Sequence, residues 1–250
     1  MTLRQRFLER PIAHRGLHDA GAGRPENGLS AIQVAVDAGY GVEIDLQLSS
    51  DGVPMVFHDH ELERMTGMRG EISDLPAEDL VQIPLRGTDR PIPTLHAALQ
   101  VVEGRVPLLI EIKDQSRVMG EVDGVLERAV AEMLDHYAGP VAVMSFNPHS
   151  VAAMAEAAPD VTRGLVTGGY DHPAWAPLGE ARLEQLRAIA DFGRVGASFI
   201  SHDKDDLDDQ AVQELRARGV PVLCWTVTSP EEADDVRGKA DNITFEGFRP

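Results

Sequence analysis

Two carboxylates stand two positions apart in an apolar stretch of the sequence. In GVEIDLQLS at 41–49, Glu43 and Asp45 alternate with apolar residues. If this stretch is a β-strand, its side chains alternate between two faces, so both acids lie on the same face. Neighbouring carboxylates repel each other unless a cation lies between them. The pattern therefore indicates a divalent-cation site, with an ordinary exposed strand edge as the alternative interpretation.

A histidine follows on what the sequence predicts to be the second arm of a hairpin. The tripeptide Ser50-Asp51-Gly52 is a tight-turn sequence and is too short to connect parallel strands. A two-residue turn, in either of the two positions this tripeptide permits, would pair His58 with Glu43 or with Asp45. Either pairing would place the Cβ atoms about 5 Å apart. The predicted hairpin therefore brings an imidazole beside the two carboxylates.

Charged residues also end two other apolar stretches. Glu111 and Lys113 close LLIEIK, and His14 and Arg15 follow the apolar PIA near the N-terminus. Glu111 and Lys113 could form a simple ion pair, but a third carboxylate would also complete an oxygen-rich site for Mg²⁺ or Ca²⁺. A guanidinium binds phosphate through two donors, and a histidine transfers protons near neutral pH. Together these residue types are suited to metal-assisted phosphoryl chemistry.

Short β-rich stretches alternate with amphipathic stretches along the whole chain. The predicted strands are 11–15, 41–49, 53–59, 106–113, 141–146, 162–167, 196–201, 220–227 and 242–246. The predicted helices are 26–38, 94–103, 120–137, 148–157, 180–190, 208–218 and 230–237. Such alternation predicts a parallel sheet with helices packed outside it.

The number of strands favours a closed barrel. The stretch 53–59 is the antiparallel arm of the hairpin, and the remaining eight strands are the number in a (β/α)8 barrel. A doubly wound open sheet is the alternative. Residues 60–92 contain scattered glycines and prolines and no long helical pattern. We therefore predict one domain over 1–250, an α/β barrel with a small rim insertion over 60–92, after the second strand.

Composition limits the partners and the compartment. The net charge is −18, which disfavours nucleic acid because binding to that polymer depends on Lys and Arg. The single cysteine, Cys224, excludes an intrachain disulfide and thiolate metal clusters. No stretch has the roughly 20 apolar residues of a membrane helix, and the charged N-terminal stretch has no signal-peptide pattern. We expect a cytoplasmic protein without stable membrane insertion, and leave its oligomeric state open.

One series of motifs extends over nearly the whole chain. It comprises AHRG at 13–16, PEN at 25–27, the segment 41–59, TGMRGEISDL at 66–75, IPTL at 92–95, EIK at 111–113, MSF at 144–146 and WTV at 225–227. This series resembles the glycerophosphodiester phosphodiesterase family. The chain departs from the family at Thr228, where Asn is frequent. It departs again in NITFEGFRP, where Glu246 stands at or near the acidic position of a frequent T-D-x-P pattern.

The resemblance implies a TIM barrel that hydrolyses small glycerophosphodiesters to glycerol 3-phosphate and an alcohol. The residues that it implies are Glu43, Asp45 and Glu111 for one divalent cation, Mg²⁺ or Ca²⁺, His14 and His58 for acid/base catalysis, and Arg15 and Lys113 for the phosphate. Either histidine could be the acid, and the nucleophile could be water or the neighbouring glycerol hydroxyl. Phe146 and Trp225 are candidates for the wall of the substrate pocket, although packing in the barrel explains both residues equally well.

Two other functions are alternatives to the hydrolysis of small glycerophosphodiesters. A lysophospholipase D-type lipid phosphodiesterase would use the same barrel and would need an apolar entry patch. The insertion has few aromatics, and Met65 and Met68 are its main apolar candidates. A non-catalytic barrel that binds a phosphate ligand would be expected to lack a histidine or a carboxylate of the set, and none is missing here.

Overall fold

The computed structural model describes Leu3 and residues 5–250. The strands in this part of the chain are β1 (Ile12–Ala13), β2 (Gly41–Leu48), β3 (Pro54–Val56), β4 (Leu108–Ile112), β5 (Val141–Ser145), β6 (Thr162–Thr167), β7 (Phe199–Asp203), β8 (Val222–Val227) and β9 (Asn242–Phe245). The α-helices are α1 (Arg6–Glu9), α2 (Leu29–Asp37), α3 (Glu63–Thr66), α4 (Ala77–Leu80), α5 (Leu95–Val102), α6 (Val125–Asp135), α7 (Pro148–Ala157), α8 (Glu180–Arg187), α9 (Gln210–Ala217) and α10 (Pro230–Asp235).

Eight parallel strands close into a barrel. They follow the order β1, β2, β4, β5, β6, β7, β8 and β9, and β9 pairs back onto β1. Helices connect the parallel strands on the outside, as parallel crossovers require. The ninth strand, β3, pairs antiparallel with β2 alone. The closed sheet confirms the (β/α)8 TIM-barrel prediction and excludes the open-sheet alternative.

The barrel wall separates two apolar layers. Ile44 and Leu46 of β2 belong to the outer layer, where they pack in one cluster with Ile32 of α2. Phe199 of β7 belongs to the inner layer, and Phe7 of α1 joins it. Because strand side chains alternate, the acidic residues between the outward residues of β2 point into the barrel. The pattern that buries the helices thus also directs the carboxylates inward.

The register of the β2–β3 hairpin differs from the prediction. Leu46 pairs with Val56, and the turn contains three residues, with Gly52 at a φ of +84°. Three-residue hairpin loops commonly use a left-handed residue at this position, which glycine adopts without strain. The additional turn residue changes the pairing by one position, so the expected pairing of His58 with either acid of β2 is wrong. His58 instead lies in a bend after β3.

The segment after β3 forms a small satellite layer on the barrel. Its helices α3 and α4 have four residues each, and a short 3₁₀ helix at Ile72–Asp74 lies between them. Phe57, Leu62 and Leu80 are buried together in its own apolar cluster. Among the described residues, no helix combines the length and apolarity needed to cross a membrane.

Candidate active site

A cavity of about 90 Å³ opens among the carboxyl ends of the barrel strands. It is lined by His14, Arg15, Glu43, His58, Glu111, Lys113, Met144, Phe146, Val166, Ser201, Trp225, Thr226 and Thr244. Of the site residues proposed from the sequence, Asp45 alone is outside this lining, and it contacts two of the lining residues. A larger groove of about 830 Å³ lies beside the starts of β5 and β6, and no proposed site residue lines it. The carboxyl ends of the strands are where barrel enzymes build their sites.

Three carboxylates meet beside this cavity. Glu43 and Asp45 come from β2 and Glu111 from β4, where Glu111 is the direct neighbour of Asp45. One oxygen from each residue lies within 4.8 Å of the others, and all three residues are buried. Glu43 Oε1 has no hydrogen-bond partner among the described residues. A buried set of oxygen ligands with an unpartnered oxygen fits a hard divalent cation such as Mg²⁺ or Ca²⁺.

The pKa values of Glu43 and Asp45, two members of this triad, are shifted in opposite directions. Burial raises the pKa of Glu43 well above its ordinary value, and the charges of Asp45 and Glu111 raise it further. Burial is the largest effect on Asp45 and acts to raise its pKa, but the positive charges around it, that of Lys113 first, together outweigh burial and hold this pKa below its ordinary range. The protein's own basic groups therefore offset the effect of burial at Asp45 but not at Glu43. A bound cation would favour the ionised form of both.

Two basic side chains reach the triad. Lys113 Nζ lies 2.9 Å from Asp45 Oδ1 and 2.7 Å from Glu111 Oε1. Burial acts to lower the pKa of Lys113, but these carboxylates raise it above its ordinary value, so the ammonium stays charged. Arg15 Nε lies 3.2 Å from Asp45 Oδ2, and Arg15 Nη1 donates to Glu26 Oε1 at 2.8 Å. Both positively charged side chains are thus held beside the cavity.

Residues of the AHRG and PEN motifs fix the two acidic side chains of β2. Arg15 and Gly16 both have positive φ, at 52° and 76°, and a Cβ on Gly16 would lie 2.8 Å from the backbone of α2. This tight turn lets the Arg15 N–H donate to Glu43 Oε2 at 2.9 Å. Asn27 donates to Asp45 Oδ2 at 2.9 Å and accepts from the Asp45 N–H. The loops after β1 therefore fix both acidic residues of β2.

Each cavity histidine is held by a carboxylate at Nδ1. His58 Nδ1 lies 2.6 Å from Asp59 Oδ1, and Arg64 donates to both oxygens of Asp59. His14 Nδ1 lies 2.7 Å from Glu246 Oε2. A carboxylate at Nδ1 favours the tautomer that carries its proton there, which leaves Nε2 of the neutral ring as the proton acceptor. An imidazole held in this way can accept a proton at Nε2.

Glu246 holds a cavity histidine but is not among the site residues predicted from the sequence, and the same is true of Asp59 at His58. Glu246 follows β9, and barrel closure brings it to His14 and to His18, whose Nε2 lies 3.3 Å from Glu246 Oε2. Hydrogen bonds from His14 and His18 lower the pKa of Glu246. The signal for Glu246 in the sequence is its place at or near the acidic position of the T-D-x-P pattern that often ends the last strand.

An aromatic wall completes the cavity. The ring centroids of Phe146 and Trp225 lie 5.5 Å apart in an edge-to-face arrangement, and Trp225 Nε1 donates to the Ser201 carbonyl at 3.0 Å. Phe146 also contacts Trp175, at 5.4 Å between centroids. Cys224 faces the outer layer, where burial raises the pKa of its thiol to about 12, so it takes no part in the site.

Similarity to known proteins agrees with this geometry. The model of the glycerophosphoryl diester phosphodiesterase family matches residues 14–241. A glycerophosphodiester phosphodiesterase of Caldanaerobacter subterraneus is 29% identical over 231 residues, which cover 89% of this chain and 87% of that protein. The human glycerophosphodiester phosphodiesterase 1 is 28% identical over 252 residues, covering 88% of this chain and 72% of that protein.

Solved structures share the same barrel. A phosphodiesterase of Oleispira antarctica, solved in complex with its product sn-glycerol-3-phosphate, superposes with a TM-score of 0.77. It is 27% identical, and the match covers 96% of this chain and 93% of that chain. The chain described here belongs to the glycerophosphoryl diester phosphodiesterase family and is a phosphodiester hydrolase.

Proposed function

We propose that this enzyme hydrolyses glycerophosphodiesters with His14 and His58 as its acid/base pair, beside one divalent cation held by the acidic triad. The products would be glycerol 3-phosphate and an alcohol. The observation that carries the proposal is the cavity itself, in which two carboxylate-held histidines line the same space as the triad. Such a pair can remove one proton and deliver another across a substrate between them.

The substrate phosphate would lie against the charged side of the cavity. Arg15 offers guanidinium N–H groups to its oxygens and Lys113 an ammonium, so both would orient phosphorus toward the histidines. Glu43, Asp45 and Glu111 would hold Mg²⁺ or Ca²⁺, which supplies charge neutralisation at a phosphate oxygen when bound. Phe146 and Trp225 would exclude water from the opposite side.

The proton transfers follow from the two imidazoles. One neutral histidine accepts a proton at Nε2 from the nucleophile, either water or the glycerol hydroxyl next to the phosphate. The other, protonated, histidine donates its proton to the oxygen of the departing alcohol. If the glycerol hydroxyl attacks, a cyclic phosphate forms first and water opens it in a second step with the histidines in exchanged roles.

The proposal also covers the compartment, the partners and the domain organisation of the enzyme. We propose a cytoplasmic enzyme that acts on small diesters without nucleic-acid partners, because a net charge of −18 repels polyanions. We further propose that 1–250 act as one domain with the rim insertion at 60–92. The names of the human and Caldanaerobacter relatives, and the glycerol 3-phosphate bound in the Oleispira structure, support the substrate class.

The substrate class is tested by an assay of the purified protein. Glycerophosphocholine, glycerophosphoethanolamine and a lysophospholipid would each be offered with Mg²⁺, with Ca²⁺ and with EDTA. We expect glycerol 3-phosphate from the first two substrates when a metal is present. Absence of product from all three substrates with either metal would contradict the proposal and favour a non-catalytic phosphate-binding barrel.

One observation favours lipid diesters as a second candidate class. The large apolar residues that are well exposed in the described chain are Met68, at 44%, and Val118, at 61%. An ion pair between Arg117 and Glu71 links their two loops. Exposed apolar side chains on these two linked loops could contact an acyl chain. Faster cleavage of the lysophospholipid than of glycerophosphoethanolamine would establish that class instead.

A further inference from the structure

Two buried hydroxyl groups in the cavity have no part in the chemistry proposed above. Ser201 of β7 and Thr244 of β9 are 0% and 1% exposed, and both line the cavity. Neither hydroxyl oxygen has a hydrogen-bond partner among the described residues. A buried hydroxyl without a partner is unfavourable, so two of them in one cavity indicate a ligand that supplies the missing partners.

The strand register directs both side chains into the barrel. Thr244 pairs with Ile12, and Ser201 pairs with Leu223. Ile12 and Leu223 belong to the apolar cluster inside the barrel. Because paired residues of neighbouring strands face the same side of a sheet, Ser201 and Thr244 face the interior as well.

The cavity divides into a charged half and a neutral half. The charged half comes from the ends of β1 and β4, from β2 and from the bend after β3. It carries the histidines, the acidic residues and the basic side chains of Arg15 and Lys113. The strands β5 to β9 contribute only uncharged residues to the lining: Met144, Phe146, Val166, Ser201, Trp225, Thr226 and Thr244. Since the phosphate belongs with the charged half, an uncharged group that carries hydroxyls fits the neutral half.

The arrangement of the neutral half suits a short polyol. Trp225 lies on β8, between the strands of Ser201 and Thr244, and its Nε1 is held by the Ser201 carbonyl. An aromatic face takes the carbon side of a polyol, and flanking hydroxyls take its O–H groups. We propose that Ser201 and Thr244 bind the hydroxyl groups of the glycerol unit and make the enzyme select glycerol over a propyl group. This inference rests on the proposed function.

The test compares two product-like ligands that differ only in those hydroxyls. Binding of glycerol 3-phosphate and of n-propyl phosphate would be measured by calorimetry, in Mg²⁺, for the wild type and for S201A, T244V and T244S. S198A is the matched control, because the Ser198 hydroxyl already hydrogen-bonds the Arg163 carbonyl just before β7. Equilibrium binding keeps the test independent of which group is the nucleophile.

We expect S201A and T244V each to weaken glycerol 3-phosphate binding by roughly 3- to 10-fold, the worth of one hydrogen bond. Binding of n-propyl phosphate should stay unchanged, which also shows that the variant cavities are folded. T244S and S198A should bind both ligands like the wild type. If S201A does not fold, S201C takes its place, with the same loss expected because a thiol is a weak donor.

Equal weakening for both ligands, or no weakening in either variant, would overturn the inference. These outcomes are separate from a failure of the proposed function. A wild type that releases no glycerol 3-phosphate from any glycerophosphodiester overturns that function and this inference together. A wild type that does release it, with an unaltered ligand preference in the variants, overturns this inference alone.

Discussion

At the scale of single residues, each proposed role depends on a partner that fixes the side chain. His14 and His58 each have a carboxylate at Nδ1, at 2.7 and 2.6 Å. A ring held in this way loses little freedom when it transfers a proton, and its tautomer is fixed in advance. The histidine pair is therefore the part of the site where a single substitution should cost most.

The first prediction concerns these two histidines. We expect H14A and H58A each to lower kcat on glycerophosphoethanolamine by about 10²- to 10⁴-fold, because general acid/base catalysis contributes that much. Far-ultraviolet circular dichroism should show an unchanged fold. H136A is the control, since His136 has 88% of its side chain exposed and lies outside the cavity. Near-normal turnover in either variant would remove that histidine from the mechanism.

A second prediction concerns stability and pH at Glu246. Hydrogen bonds from His14 and His18 lower the pKa of Glu246 in the folded protein. Its stabilising contribution is therefore present above the unfolded pKa of about 4.3 and is lost as the pH falls toward the folded value. We expect E246Q to lower Tm at pH 6, and this difference from wild type to shrink below about pH 4.3.

Thermal unfolding between pH 2.5 and 7 measures this difference directly. R249A is a suitable control, because Arg249 lies close in sequence and is exposed. A difference between E246Q and wild type that stays constant over the whole range would contradict the contacts described for Glu246.

At the scale of elements, the alternation of strands and helices could be predicted because a two-residue repeat and helical spacing leave clear marks in a sequence. The predicted strand at 162–167 coincides with β6, and α7 begins and ends as predicted, at 148 and 157. The hairpin register could not be predicted as well. A turn of two or of three residues differs by one position, and the choice depends on the backbone of Gly52.

Contacts between elements far apart in the chain also could not be predicted from the local sequence pattern. The Glu246–His14 pair joins residues 232 positions apart, and it exists because β9 closes against β1. Arg64 is similar, since it lies on α3 of the insertion and donates to Asp59 and to Glu26. Closure of the barrel and docking of the insertion, rather than local spacing, create these contacts.

The third prediction concerns the insertion. Arg64 connects α3 to Asp59, which holds His58, and to Glu26, which holds Arg15. We expect R64A to lower kcat/KM by roughly 10-fold through loosening of both partners, as is typical when groups that orient catalytic side chains are removed. Steady-state kinetics measures the effect, with R86A as the control, because Arg86 contacts only the Glu63 carbonyl through its side chain in the described hydrogen bonds. Equal kinetics for R64A and R86A would show that the insertion does not support the histidine.

At the scale of the whole molecule, the acidic charge has two parts. Most of the net charge of −18 lies on the surface, where it repels polyanions. Glu43, Asp45 and Glu111 are different, because they are buried together on two neighbouring strands. With a divalent cation in place, Arg15 and Lys113 would complete a local positive site on an acidic protein. We expect such a site to accept one small phosphodiester, and the acidic surface to repel a nucleic acid.

The dependence of the reaction on a divalent cation is measured by glycerol 3-phosphate release before and after metal removal. Wild type and E43Q would be treated with EDTA, assayed on glycerophosphoethanolamine, and assayed again after addition of Mg²⁺ or Ca²⁺. We predict that EDTA abolishes release by the wild type, that one of the two ions restores it, and that E43Q remains at least about 100-fold slower with either ion. An unchanged rate of release after EDTA, or full activity of E43Q, would show that the reaction does not depend on a cation held by the acidic triad.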